Sequence, residues 1–257
     1  MLEELYAGSI EDAARRSETL PVAKLEKLAL DQTIAMNALD ALAPSDRIKV
    51  LAEVKRASPS KGQMAEIPDP AFLAEIYATG GASAISVLTE ERRFKGSLED
   101  FDAVRARVNV PLLRKDFIGN EYQILEARAH GADIVLLIVA GLEMPVLTRL
   151  KSFTEDLGMT AFIETHSSDE VKKALDLDGS LVGVNARDLS TFETDRDLFA
   201  KLVDLFPPHI IKVAESAVRN ASDVAHYRKS GADVVLVGEA LVTNDPSAML
   251  RSFLETI

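Results

Sequence analysis

Glu53 and Lys55 stand two residues apart at the end of an apolar run that begins at Ile48. In an extended strand that spacing puts both side chains on one face. An acid and a cation are costly to bury there unless they pair or serve a ligand. The chain then breaks into Ser58-Pro59-Ser60-Lys61-Gly62, whose hydroxyls, cation and glycine suit contacts to an anion such as phosphate. A charged strand end opening into such a loop has the character of an active-site floor.

The elements that must hold this floor follow a regular alternation. Residues 1–45 show helical spacing without strands: Leu25, Leu28, Ala29, Gln32 and Met36 lie roughly three and four apart, and Pro21 suits a first helical turn. Pro44-Ser45 ends that section. Strands are then predicted near 48–54, 84–88, 111–114, 134–138, 160–163, 181–184, 210–214 and 234–237. Amphipathic helices are predicted near 70–79, 97–107, 119–130, 143–157, 168–176, 196–204, 219–230 and 246–256, with caps at Asp69-Pro70, Ser97, Ser168 and Asp245-Pro246. Most of the strands are apolar with little alternation, as parallel strands covered on both faces should be. Eight such units without a long linker predict an α/β chain of one domain: a single (β/α)₈ TIM barrel over 46–257, preceded by a helical extension over 1–45. Gly81-Ala82-Ser83, Gly131-Ala132-Asp133 and Gly231-Ala232-Asp233 each lie between a helix and a strand, and their spacing supports the unit count.

Composition narrows the partners. The 257 residues carry 29 basic and 41 acidic side chains, a net charge of −12 that disfavours nucleic acid and anionic membrane. A small anionic substrate is compatible, because only the pocket must be locally positive. Cysteine is absent, which excludes thiolate metal sites, disulfides and Cys nucleophiles. The acidic start, Met-Leu-Glu-Glu, does not resemble a targeting signal, and the longest apolar run, 134–140, is far short of a membrane span. These features lead us to expect a cytoplasmic protein, and no apolar repeat suggests an interface, so a monomer is expected.

In such barrels the reactive groups gather at the C-terminal ends of the strands. There the sequence places Glu53 and Lys55, a loop containing Phe94, then Arg114-Lys115-Asp116-Phe117, Glu164-Thr165-His166, Asn185-Ala186-Arg187-Asp188, Glu215-Ser216-Ala217 and Gly238-Glu239. The strand starts are mostly apolar or proline.

Ala-Glu-Val-Lys-Arg-Ala-Ser-Pro-Ser-Lys-Gly (52–62), Leu-Arg-Lys-Asp-Phe (113–117) and Asn-Ala-Arg-Asp-Leu (185–189) closely resemble motifs of indole-3-glycerol-phosphate synthases. So do Phe94-Lys95-Gly96-Ser97, Glu121-Tyr122-Gln123-Ile124 and Glu126-Ala127-Arg128. The resemblance implies a decarboxylating, dehydrating ring closure of 1-(2-carboxyphenylamino)-1-deoxyribulose 5-phosphate, in tryptophan biosynthesis, with no cofactor or metal.

With that chemistry in view, Lys115 is the candidate general acid, its pKa lowered by burial and by Lys55 or Arg114; a strand-end ion pair is the bland alternative. Lys55, held by Glu53, would bind the substrate carboxylate or share the acid role. Glu164 would be the general base or stabilise a cationic intermediate, with Asn185 orienting it or the substrate hydroxyls. Arg187 would contact a carboxylate or simply pair with Asp188, and His166 is read as structural. The phosphate would sit against Glu215-Ser216-Ala217 and Gly238-Glu239, with Ser58 reaching in from its loop. Phe94, Phe117 and Leu137 would form an apolar slot for the anthranilate ring, or belong to the core.

Two departures from the family pattern stand out. Ala217 replaces the usual glycine and would be strained by roughly 1–2 kcal/mol if its φ is positive. Ala186 replaces an asparagine. The rival readings are a phosphoribosylanthranilate isomerase, which would need a Cys acid that this chain lacks, and a non-catalytic or repurposed phosphate-binding barrel.

Overall fold

The computed structural model describes residues 1–188, 191 and 193–256; Leu189, the last residue of the 185–189 motif, and Ile257 lie outside them. Eight parallel strands close into a barrel: β1 Lys49–Val54, β2 Ala84–Leu88, β3 Leu112–Lys115, β4 Ile134–Ile138, β5 Thr160–Thr165, β6 Leu181–Asn185, β7 Ile211–Glu215 and β8 Val234–Val237, with β8 hydrogen-bonded to β1. Three helices precede it: α1 Leu2–Thr19, α2 Val22–Leu30 and α3 Ala38–Leu42. The others are α4 Pro70–Thr79, α5 Leu98–Arg107, α6 Glu121–Ala129, α7 Met144–Asp156, α8 Ser168–Asp176, α9 Leu198–Leu202, α10 Ala221–Lys229, α11 Glu239–Val242 and α12 Pro246–Leu254.

The predicted alternation is reproduced, with element ends moved by a few residues. Asp69, Ser97 and Asp245 cap their helices as expected, whereas α8 is capped by Ser167, one residue before the expected Ser168. The loop after β1 contains a short antiparallel hairpin, Ala57–Ser58 with Gly62–Gln63, that was not expected. The three glycine turns act alike: Gly81, Gly131 and Gly231 all have positive φ, and each donates its backbone N–H to a carbonyl in the last turn of a helix before the chain enters a strand. Asp133 and Asp233 then fix register, since each carboxylate accepts a backbone N–H at the start of the preceding strand, from Leu112 (2.8 Å), the first residue of β3, and from Lys212 (2.9 Å), the second of β7.

Side chains alternate between two apolar layers. Leu51, Leu113, Leu136, Phe162, Val213 and Leu236 fill the barrel interior, while Val50, Leu112, Val135, Ile163 and Val235 pack outward in the larger core beneath the helices. Period 2 therefore turns Arg114 outward and Lys115 inward. Arg114 is wholly buried against Thr89 (3.1 Å), Asp116 (3.1 Å) and Glu126 (3.3 Å). Helix α1 joins this network: Ser9 donates to Asp116 (2.9 Å) and Arg16 to Glu126 (2.6 Å). The N-terminal helix is thereby fixed over the C-terminal mouth of the barrel, where Leu5 reaches the cavity.

Candidate active site

A cavity of about 480 Å³ opens at the C-terminal ends of the strands. Its lining includes Glu53, Lys55, Ser58, Phe94, Lys115, Phe117, Glu164, Asn185, Arg187, Glu215, Ser216, Ala217, Gly238 and Glu239, which gathers every expected site residue but one. The exception is Leu137, which faces outward into the core between sheet and helices; Leu136 and Ile138 line the cavity in its place. A continuous apolar strand carries no phase to distinguish these positions.

At the cavity floor the Lys115 ammonium lies 2.9 Å from Glu164 Oε2 and 2.7 Å from Glu215 Oε2. Asn185 donates to Glu164 Oε1 (3.0 Å), and its own carbonyl oxygen accepts from the Ser216 hydroxyl (2.8 Å) and the Arg187 backbone N–H (3.0 Å). Lys55, which directly follows β1, pairs with Glu53 at 2.6 Å, so the two side chains share one face as their spacing predicted. Glycine at 238 makes room for that pair: a Cβ there would stand 2.5 Å from Glu53 Oε1 and 3.1 Å from Lys55 Nζ.

Burial opposes the charges of Lys115, Glu164 and Glu215, and the neighbours decide the outcome. Burial alone would lower the Lys115 pKa, but Glu164, Glu215 and Glu53 drive it above the ordinary lysine value. The expected lowering by Lys55 or Arg114 is thus overturned, because Arg114 points out of the barrel and three carboxylates surround the ammonium. Glu215 is pushed up to about 8 by burial and by the Glu164 charge, against the pull of Lys115. Glu164 would also be raised by burial, yet Lys115, His166 and Asn185 hold it well below the usual carboxylate range. One carboxylate at the floor is therefore ionised and its neighbour holds a proton readily.

Above this floor lies an apolar wall. Phe117 packs between Tyr6 of α1 and Phe94, with ring centroids 5.6 Å and 6.0 Å away, and Leu5, Leu88, Leu136 and Ile138 complete the surface. Phe94 is set by Glu90, whose carboxylate accepts its backbone N–H (2.7 Å). Across the cavity, Ser216 and Ala217 both adopt positive φ (67° and 57°), so the strain foreseen for alanine at 217 is present. Lys61 of the hairpin pairs with Glu239 at the β8 end. Arg196, Leu5 and Thr194 also line the cavity and were not foreseen. Leu5 and Arg196 lie in helical or loop sequence whose proximity depends on tertiary packing, whereas His166 carried a signal: it follows Glu164 by two residues, and its Nε2 lies 3.3 Å from that carboxylate. Among the described residues no group of three or more His, Asp and Glu stands where it could hold a metal ion.

The model of the family described as indole-3-glycerol phosphate synthase matches residues 2–253. The chain is 61% identical over 253 residues to the indole-3-glycerol phosphate synthase of Leifsonia xyli, covering 98% of this chain and 97% of that one. It is 54% identical to that of Beutenbergia cavernae, covering 95% and 90%, and 52% identical to indole-3-glycerol phosphate synthase 1 of Streptomyces coelicolor, covering 96% and 91%. Among solved structures, thiamine phosphate pyrophosphorylase from Pyrococcus furiosus superposes with a TM-score of 0.60 at 15% identity, covering 80% of this chain and 93% of that one. N-acetylmannosamine-6-phosphate 2-epimerase from Clostridium perfringens gives 0.62 at 14%, covering 83% and 93%. The two structures share the fold, and the relatives share far more: the chain belongs to the indole-3-glycerol phosphate synthase family.

Proposed function

We propose that Lys115 and Glu164 carry the proton transfers of the ring closure that this family catalyses. The chain is by family a carboxy-lyase of tryptophan biosynthesis, converting 1-(2-carboxyphenylamino)-1-deoxyribulose 5-phosphate to indole-3-glycerol phosphate, carbon dioxide and water. The observation that carries our assignment is the Lys115 ammonium held between Glu164 and Glu215 on the cavity floor, facing the aromatic wall.

In this reading the anthranilate ring lies against Phe94 and Phe117, and Lys55 meets its carboxylate. The ring carbon bearing the carboxylate bonds to the ketone carbon while Lys115 gives its proton to the ketone oxygen. Loss of carbon dioxide returns the bonding electrons to the ring. The new hydroxyl then takes a proton from Lys55, freed of the lost carboxylate, and leaves as water, while Glu164, oriented by Asn185, removes the proton from the adjacent carbon. A lysine whose pKa is raised at rest still serves as an acid here, because the oxygen it faces becomes an alkoxide in the transition state. Its loss of acidity is also relieved when Glu215 takes up a proton. Ser58, Ser216, Ala217, Gly238 and Glu239 would hold the phosphate end, and Arg187 a carboxylate.

The test uses the lack of tryptophan: with four tyrosines as the native fluorophores, indole product stands out on excitation above the tyrosine band. Substrate should give a growing indole signal that Lys115→Ala abolishes while circular dichroism stays unchanged; full activity in that variant overturns the acid. We also read residues 1–45 and 46–257 as one domain, on the strength of the Ser9–Asp116 and Arg16–Glu126 contacts. From its acidic balance we read the chain as binding neither nucleic acid nor anionic membrane, and we read it as a cytoplasmic protein and, since no apolar repeat suggests an interface, as a monomer; sedimentation equilibrium showing a dimer would correct the oligomeric state. Among the described residues no helix is long and apolar enough to cross a membrane.

A further inference from the structure

We propose that His166 is a positioning residue for Glu164: as an imidazolium held between Glu164 and Glu170, it orients the carboxylate and keeps it ionised beside Glu215. This rests on Glu164 being the base, but the ion pair can be tested separately.

The geometry makes the case for a doubly protonated ring. His166 Nε2 stands 3.3 Å from Glu164 Oε1, and Nδ1 stands 3.2 Å from Glu170 Oε2. A neutral imidazole has one N–H and one lone pair, so it would set that lone pair against one of the two carboxylates. The imidazolium serves both. Glu170 is itself anchored, since Ser167 caps the first turn of α8 and Glu170 Oε2 also accepts the His166 backbone N–H at 2.8 Å. The outer end of the ring is thus fixed. Its inner nitrogen is buried and makes no hydrogen bond in line, which leaves its charge facing Glu164.

Glu164 needs such a neighbour. It is faced by Lys115 from β3, Asn185 from β6 and His166 from its own strand end, while Lys115 is shared with Glu215 from β7. The floor holds the carboxylates of Glu53, Glu164 and Glu215 against the ammonium groups of Lys55 and Lys115. A cation next to Glu164 lets that carboxylate remain charged when Lys115 hands its proton to substrate.

The experiment has two parts, both on the full chain. The pH profile of kcat/KM should show its acidic limb moved upward by roughly one unit in His166→Gln, because a carboxylate that loses a cation binds its proton more tightly. His166→Lys, which restores the charge, should bring the limb part of the way back. A folded His166→Gln variant with the limb unmoved overturns the proposal, since a purely structural histidine would cost stability without shifting the titration. Should His166→Gln fail to fold, the ring is followed by NMR in the parent protein, assigned by elimination with His130→Gln, His209→Gln and His226→Gln. His166 is expected to stay protonated through pH 8, and in Glu164→Gln to lose its proton at lower pH. Loss of the proton below pH 7 in the parent overturns the proposal. Full activity in Glu164→Gln would instead overturn the base assignment, a result distinct from an unprotonated His166 beside a normal Glu164.

Discussion

The Glu215 carboxylate occupies the space that a side chain at Gly183 would fill: a Cβ at 183 would stand 2.2 Å from Glu215 Oε1. It would also stand 2.8 Å from Cζ of Phe162, whose ring lies 5.8 Å from the Lys115 ammonium. One missing side chain on β6 therefore lets a carboxylate from β7 and an aromatic ring from β5 meet beneath Lys115. Gly183→Ala should displace Glu215 and with it the ammonium. We expect kcat to fall by about a hundredfold, the cost of misplacing a catalytic group by about an ångström. Overpacking should lower stability by about 1–3 kcal/mol. Single-turnover kinetics and urea unfolding check the two effects; a variant with normal kcat would mean that Glu215 does not locate Lys115.

A second expectation concerns the turn after β7. Ala217 has φ of 57°, a left-handed conformation that costs an L-residue with a Cβ roughly 1–2 kcal/mol. Ala217→Gly removes that strain but adds about 0.5–1 kcal/mol of chain entropy to the unfolded state. The net gain should be about 0.5–1 kcal/mol, seen as a rise of about 2 °C in thermal midpoint. If substrate phosphate sits against this turn, KM should fall together with the strain. A lower midpoint in the glycine variant would show that the surrounding turn stabilises the alanine.

Stability should depend on Glu215 with a definite sign. Its pKa is raised from 4.5 to about 8 in the folded state, so the folded protein holds this proton more tightly than the unfolded chain. The associated stability is fully present below about pH 4.5 and is lost as pH rises through about 8. Glu215→Gln keeps the shape but cannot titrate. Relative to the parent, this variant should become progressively more stable between pH 5 and pH 9 in urea unfolding. A difference that stays constant across that window would mean that Glu215 is ionised throughout.

The sequence made the architecture readable and left the facing of side chains open. The Gly-Ala-Asp turns at 131–133 and 231–233 announced helix ends and strand starts because their chemistry is local: a positive φ at glycine, then a carboxylate on the neighbouring strand. The pair Glu53–Lys55 was readable for the same reason, since period 2 needs no tertiary knowledge. Leu137 was misplaced because Ile134–Ile138 is apolar throughout, so nothing local tells inward from outward. The lysine titration went the wrong way because the charges that decide it, Glu164 and Glu215, lie 49 and 100 residues along the chain. Leu5 entered the cavity unannounced for a similar reason: α1 is placed by Ser9 on Asp116 and Arg16 on Glu126, contacts between distant segments.

Glu239 supplies the last expectation. Its side chain lines the cavity beside Gly238 and pairs with Lys61 of the hairpin. In our reading this is the phosphate end, where the backbone of 238–239 helps to hold a dianion and the Glu239 carboxylate repels it. Glu239→Gln keeps the backbone, removes the repulsion and releases Lys61 toward the phosphate. Because both side chains are partly exposed, the effect should be small, about 0.5 kcal/mol or roughly a twofold fall in KM at low salt, with kcat unchanged. The gain should fade as ionic strength rises, since solvent-exposed charges are screened within about 10 Å at 0.1 M salt. Lys61→Gln should act in the opposite direction, raising KM with the same salt dependence. A KM indifferent to both substitutions would remove the phosphate from this end of the cavity.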